Sequence, residues 1–350
     1  MIRKKSWSWH LGAGMFFLMA WLWGIAAVPL VAAEHRIIEG DGFYTIGDGL
    51  DENISVAKER AKNEAMRNAG EKAGVFVESL SFVKEGQLTH DEVMVISAQV
   101  MQLQGTPKFR AVPITEDVLR YECHVTVLVD TDNINASMVK DKAALSDAVR
   151  QNKELTEEVV RLNQEMETLK QRFANASTES ERQEIRQEVR RNDEGFVAAG
   201  LNEQGARLLG EGQFAEAAGL FSEALAKNPD FAYAYHNRGI AYGKMKDYGR
   251  AVADFSRAIA LDGSYATAYG GRGFVLYSMG NYEQAVADLS RAITLKPDYA
   301  DAFYIRGNAY MQLGHYSEAL RDYNKSLALN PGMEAARLNR DMIVGVMEEH

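Results

Sequence analysis

In the carboxyl-terminal half of the chain, apolar and small positions return at one fixed interval. Gly205, Gly239, Gly273 and Gly307 stand 34 residues apart, and the same interval links Ala217, Ala251, Ala285 and Ala319, then Phe221, Phe255, Leu289 and Tyr323. Inside each interval, two stretches of helical spacing flank a short turn such as "MKDYGRA" or "MGNYEQA". Pro229, Pro297 and Pro331 close three of the intervals, with Gly263 in the equivalent place of the other; proline cannot continue a helix. The pattern predicts four helix–turn–helix units over 196–333. One such unit cannot bury its own apolar face, so neighbours stack into a solenoid that needs a solvated end. The segment "EAARLNRDMIVGVMEEH", 334–350, reads as that capping helix.

Upstream the period changes. Leu145, Ala148, Asn152, Leu155, Val159, Leu162, Met166, Leu169, Phe173 and Ala176 alternate at gaps of three and four. Asn152 and Val159 then fall at a positions and Leu155, Leu162 and Leu169 at d, a choice that favours a two-stranded parallel coil. Asn152 would fix the register and the three leucines the seam, so a homodimer is expected. A second reading stays open, in which the helix folds back on its own chain. Thr178 and Glu181 form a capping-box pair where the heptad stops, and Ile185 and Val189 begin another apolar stripe.

Nearer the amino terminus, "HRIIEGDGFYTIGDG" alternates as a strand does, and Ala57, Ala61, Ala65, Ala69 and Ala73 make one helical stripe. "GVFVESLSFV" reads as a strand or sheet edge. Thr89 and Glu92 open a further helix with a capping box, stapled by Leu88 and Val93. "LQGTPKFRAVPITED" and "VLRYECHVTVLVD" read as a hairpin. The fold class is therefore multidomain: a small α+β domain at 34–136, a coiled-coil helix at 137–192, an all-α solenoid at 196–333 and the cap.

The repeated residues resemble the tetratricopeptide repeat (TPR) family, with one departure. Arg238, Arg272 and Arg306 precede the glycines where that family usually has leucine. Separately, "EGDGFY", "AKERAKNEAMRNAGEKAGVFVES" and "LTHDEVMVISAQV" resemble the amino-terminal domain of flagellar assembly protein T and the small domains of LPP20-type lipoproteins. That resemblance implies an envelope or assembly domain, without the other parts of the flagellar family.

The chain has 350 residues, 46 % of them hydrophobic, and a net charge of −10, which suits two or three folded parts. Its acidic balance and lack of a basic stripe disfavour nucleic acid and anionic lipid as partners. Residues 1–33 begin basic with Arg3, Lys4 and Lys5, turn apolar and end in Val31-Ala32-Ala33. They suit a signal peptide cleaved before Glu34 or, being long enough to span a bilayer, an uncleaved inner-membrane anchor. Either reading places the rest in the periplasm or cell envelope, with membrane contact through 1–33 alone. Cys123, the single cysteine, lies on an alternating strand and reads as a buried hydrophobe.

No catalytic motif is present: there is no phosphate-cradling glycine loop, no strand-borne dinucleotide fingerprint and no nucleophile elbow. The seven histidines are scattered, none at a metal-ligand spacing from another His or Cys. No catalytic residue, metal or cofactor is expected. The TPR resemblance instead implies a groove lined by the first helix of each unit. Its inward places are Asn202 and Ala206, then Tyr233, His236, Asn237, Ile240 and Lys244, then Thr267, Phe274 and Tyr277, and finally Asp301, Tyr304, Asn308, Met311 and Gln312. Rings for area and amides for backbone hydrogen bonds suit a protein or peptide partner. The family's best-known groove grips a terminal carboxylate with paired basic and Asn residues; Lys244 is the sole inward cation here, so no such clamp is expected.

The reading that results is a non-enzymatic periplasmic or envelope adaptor, dimerised by its coil, with a protein partner in the groove. Two others stay open. One is a permanent structural subunit of an envelope assembly, flagellar or otherwise. The other is a peptidoglycan- or glycan-binding module in which Tyr233, Tyr277 and Tyr304 stack on sugar rings.

Overall fold

The computed structural model describes residues 35–47, 50, 52–79, 88–116, 118–130 and 142–348. Residues 1–33, expected to be a leader or an anchor, lie outside them. No helix among the described residues is long and apolar enough to cross a membrane.

The small domain is an antiparallel sheet with helices on one face. Strand β1 (His35–Gly47) pairs with β4 (Val118–Asp130) along its whole length, and β2 (Met101–Leu103) and β3 (Lys108–Pro113) share the opposite edge of β4. Alternation along β4 buries Tyr121, Cys123, Val125, Val127 and Val129 beneath helices α1 (Ile54–Ser79) and α2 (His90–Val100). The alanine stripe of α1 lies on Gly40 and Gly42 of β1. A Cβ at Gly40 would sit 2.1 Å from the Ala65 carbonyl oxygen, and one at Gly42 would sit 2.3 Å from the Ala65 amide nitrogen. Helix and strand thus meet backbone to backbone, which only glycine on the strand permits.

Polar side chains of α1 then wrap the free edge of β1. Glu64 accepts the Phe43 N–H, while Asn68 and Lys72 donate to the carbonyls of Asp41 and Glu39, each at 2.7 Å. An edge occupied in this way is a poor template for another strand.

One local reading changes. The stretch from Gly74 to Ser79 is helical rather than strand, because Phe76 and Val77 continue the buried stripe of α1 in phase with Ala73. The remainder of that stretch lies outside the described residues. The box at Thr89 is present as expected: its hydroxyl accepts the Glu92 N–H at 3.3 Å, and Glu92 accepts the Thr89 N–H at 2.7 Å.

From Val159 onward the heptad stripe finds its partner within the chain. Helix α3 (Lys142–Asn175) turns at the Thr178/Glu181 capping box and returns as α4 (Glu179–Gly210). Met166, Leu169 and Phe173 pack with Ile185, Val189 and Leu50, while Leu162 packs with Phe196 and Ala199. Leu162 and Leu169, expected in a dimer seam, are therefore covered by α4. Gaps of three and four describe a helix on any helical neighbour, which is why the spacing alone did not separate the two readings. The side chains of Asn152 and Leu155 lie outside the described set. Helix α4 also runs unbroken through 193–195 into the first repeat, so no linker separates hairpin from solenoid.

The small domain is seated on this hairpin by a buried polar joint. Arg60, on α1, donates to Asn192 at 2.7 Å, to Asp193 at 3.3 Å and to Asn163, and lies 4.2 Å over the Phe196 ring. Lys170 donates to the Thr45 carbonyl at 2.7 Å and stands 3.5 Å from Glu52.

Beyond α4 come α5 (Phe214–Lys227), α6 (Ala232–Lys244), α7 (Tyr248–Leu261), α8 (Ala266–Ser278), α9 (Tyr282–Leu295), α10 (Ala300–Gln312), α11 (Tyr316–Leu329) and α12 (Glu334–Glu348). The period glycines bring the two helices of a unit together: a Cβ would meet the ring of Phe221, Phe255 or Tyr323 at 2.6, 3.1 or 2.8 Å from Gly205, Gly239 or Gly307. The first helices of successive units also touch one another along the row, whereas the second helices barely meet. The array therefore curves with α4, α6, α8 and α10 on the inside.

Candidate functional site

The inner row is built from side chains that join neighbouring helices. In the second, third and fourth units the arginine before the glycine makes a three-way clamp. Arg238 donates to both carboxylate oxygens of Asp254 at 2.8 and 2.9 Å and to Ser222 of the preceding unit at 3.0 Å. Arg272 repeats this with Asp288 and Ser256, and Arg306 with Asp322 and Ser290. Each arginine thus links the two helices of its own unit and reaches back to the unit before.

Several residues expected to meet a ligand are used in the same way. Asn237 donates to Asn202 at 3.0 Å, bridging α6 to α4, and both amides are buried. Asn308 accepts from Tyr323 at 2.7 Å and from Asn339 of α12 at 2.8 Å. His236 is 5 % exposed and lies against Phe255 and Tyr265, with ring centroids 5.5 and 4.9 Å apart. These four residues, expected to line the groove, are buried between wall helices, with their amides and imidazole turned to neighbouring side chains. Thr267 is buried as well.

The tyrosines are half-buried. Tyr233 sits edge-on to Tyr265 at 5.3 Å, Tyr277 is 5.6 Å from Tyr282, and Tyr304 is 6.1 Å from Tyr323. Burial pushes the Tyr277 phenol above its ordinary pKa. Each of the three rings thus has at least one aromatic neighbour and keeps part of its surface exposed. Asp301, Ile240 and Met311 are likewise half-buried.

Open to solvent on the inner side are Lys244, Gln312 and Phe274, the last with 48 % of its surface exposed. Two further residues belong with them. On α12, Leu338 is 62 % and Met342 52 % exposed. Helix α12 caps the array as expected, and its polar side carries an ion pair between Arg340 and the adjacent Asp341. Leu338 and Met342 add exposed apolar surface to the helix. Extending the 34-residue interval from Tyr304 and Asn308 would have pointed to Leu338 and Met342. Among the described residues no group of three His, Cys, Asp or Glu gathers as for a metal ion.

Paired helices stacked at a fixed period, with an inner wall of first helices, define a helical-repeat solenoid. The repeats are tetratricopeptide repeats: residues 232–265 and 300–333 match the family model described as "Tetratricopeptide repeat", and 275–314 match that described as "TPR repeat". Such repeats generally mediate protein–protein interaction. Similar solved structures include MamA, residues 41 to the end, from Desulfovibrio magneticus RS-1, at 23 % identity over 44 % of this chain and 87 % of that one, with a TM-score of 0.41. Pseudomonas aeruginosa pilF shows 23 % identity over 45 % of this chain and 71 % of its own, with a TM-score of 0.42. The second TPR domain of human RPAP3, in complex with an HSP70 peptide, shows 34 % identity over 32 % of this chain and 93 % of its own, with a TM-score of 0.31.

Proposed function

We propose that the chain is a non-enzymatic adaptor of the cell envelope that holds a protein partner along the inner row of its repeats. The observation that carries this reading is Phe274, a large ring left half open on a wall whose tyrosines and asparagines are engaged with neighbouring helices. Exposed aromatic surface on a rigid concave support is the usual anchor of a protein interface. The envelope location rests on the basic, apolar and small-residue succession of 1–33 and on the resemblance of the small domain to envelope assembly domains. Dimerisation through α3 is not part of the proposal, because Leu162 and Leu169 are covered within the chain.

The test is a photoreactive amino acid placed at position 274 in intact cells, with a second placement at Glu283 on the outer helix α9 as control. The expected result is crosslinked protein at 274, recovered with the periplasmic fraction, and none at 283. Equal capture at both places, or adducts confined to the cytosol, would remove the reading.

A further inference from the structure

The large hydrophobic side chains left exposed on the solenoid are unevenly placed. Helices α5, α7 and α9 of the outer row expose none, and α11 exposes one, Tyr316. Phe274, Leu338 and Met342, with Val197 at 36 % exposed on α4, lie on inner-row helices, and Met245 and Met279 cap the carboxyl ends of α6 and α8. Exposed apolar side chains therefore recur on α12, beyond a fourth unit whose Tyr304 and Met311 are half-buried. Asn339 shows that α12 is docked as a further wall helix, through its bond to Asn308. Ala336 and Ile343 anchor it on the fourth unit.

On the second unit the wall changes character. Lys244 is exposed in the last turn of α6 and makes no ion pair among the described residues. The equivalent places one and two units later are Ser278 and Gln312, both neutral. The second unit thus offers a free cation and α12 an apolar stripe. Flexible methionines at its border suit a surface that adapts to aliphatic and aromatic side chains.

Resting on the groove reading above, we infer that the binding surface extends over α12 and takes an amphipathic segment of another protein. Its large apolar side chains lie on Phe274, Leu338 and Met342, and a carboxylate faces Lys244. With neighbouring helices about 8–10 Å apart, α6 to α12 spans roughly 25–30 Å, the reach of about eight or nine extended residues. Charge complementarity selects the direction, with the acidic end on the second unit and the apolar end on α12.

The probe is a library of phage-displayed random 12-residue peptides selected on the full chain. Enriched peptides should combine two or more large apolar residues with an acidic residue toward one end. Synthetic copies, measured by fluorescence anisotropy, should weaken at least tenfold on Leu338→Asp/Met342→Asp. The milder pair Leu338→Ser/Met342→Gln covers the case in which the first misfolds. Lys244→Glu should weaken them several-fold, with recovery when the peptide's acid is replaced by lysine. Tyr316→Asp, on the outer row, should leave them unchanged.

Peptides that need Phe274 but ignore both α12 variants would overturn the extension and leave the groove standing. Peptides indifferent to Phe274 and to α12 alike, or no enrichment at all, would count against both. A dimer that the α12 variants convert to monomer would make a second copy of the chain the occupant and would also overturn the inference.

Discussion

The Arg272 guanidinium makes three charge-assisted hydrogen bonds, two to Asp288 at 2.7 and 2.8 Å and one to Ser256 at 3.0 Å. Ser256 in turn donates to the Val252 carbonyl at 2.7 Å, so the clamp leaves its hydroxyl satisfied on both sides. Asp288 is nearly buried, which makes the loss of its partner costly. Arg272→Leu, the residue most repeats of this kind carry, is predicted to lower stability by about 2 kcal/mol in urea unfolding. Arg272→Leu/Asp288→Leu should regain most of that, because it is the orphaned carboxylate and not the absent guanidinium that costs. If the single change left the midpoint where it was, the clamp would be ornamental. The first unit has Gln204 and Leu220 at the corresponding places, so the clamp begins with the second.

At the scale of elements, α3 and α4 decide how the front of the molecule is organised. Leu169 is 1 % exposed between the two helices. Leu169→Ala is predicted to cost about 2–4 kcal/mol through the cavity it leaves. Because its neighbours belong to the same chain, the thermal midpoint of wild type and variant should not move with protein concentration. A midpoint that rises with concentration would restore the two-chain seam. This element also shows what pattern can and cannot reveal. The repeat was legible because its glycines, alanines and rings act within 34 residues of one another, and the start of α4 was legible in Thr178 and Glu181. The partner of the α3 stripe was not, since an apolar face records that it is covered and not by what. The site divides along the same line. Phe274 and Lys244 are open because no described residue covers them. Asn202, Asn237 and Asn308 are closed by residues one unit away or by the terminal helix. That distinction depends on stacking geometry, which composition at a single position does not carry.

For the whole molecule, the joint between small domain and hairpin determines whether the two parts move together. It buries two carboxyls, Glu52 and Asp193, beside Lys170 and Arg60. Burial raises the pKa of both above the ordinary carboxylate range, more strongly than the neighbouring cations lower it. A carboxyl with a raised folded-state pKa binds more protons when folded than when unfolded. Its contribution to stability therefore falls as pH rises through the window between its unfolded value, about 4 for both residues, and the raised folded value. At neutral pH these two carboxylates weaken the joint, and the weakening fades on acidification toward pH 4. Glu52→Gln keeps the shape and removes one of the charges, while Lys170 retains the Thr45 carbonyl. The variant is predicted to melt higher than wild type at pH 7, with the difference shrinking steadily toward pH 4, as read by calorimetry across that range. A variant that melts lower at pH 7 would mean that the pull of Lys170 on Glu52 outweighs the cost of burying it. The joint would then be held together by its charges rather than in spite of them.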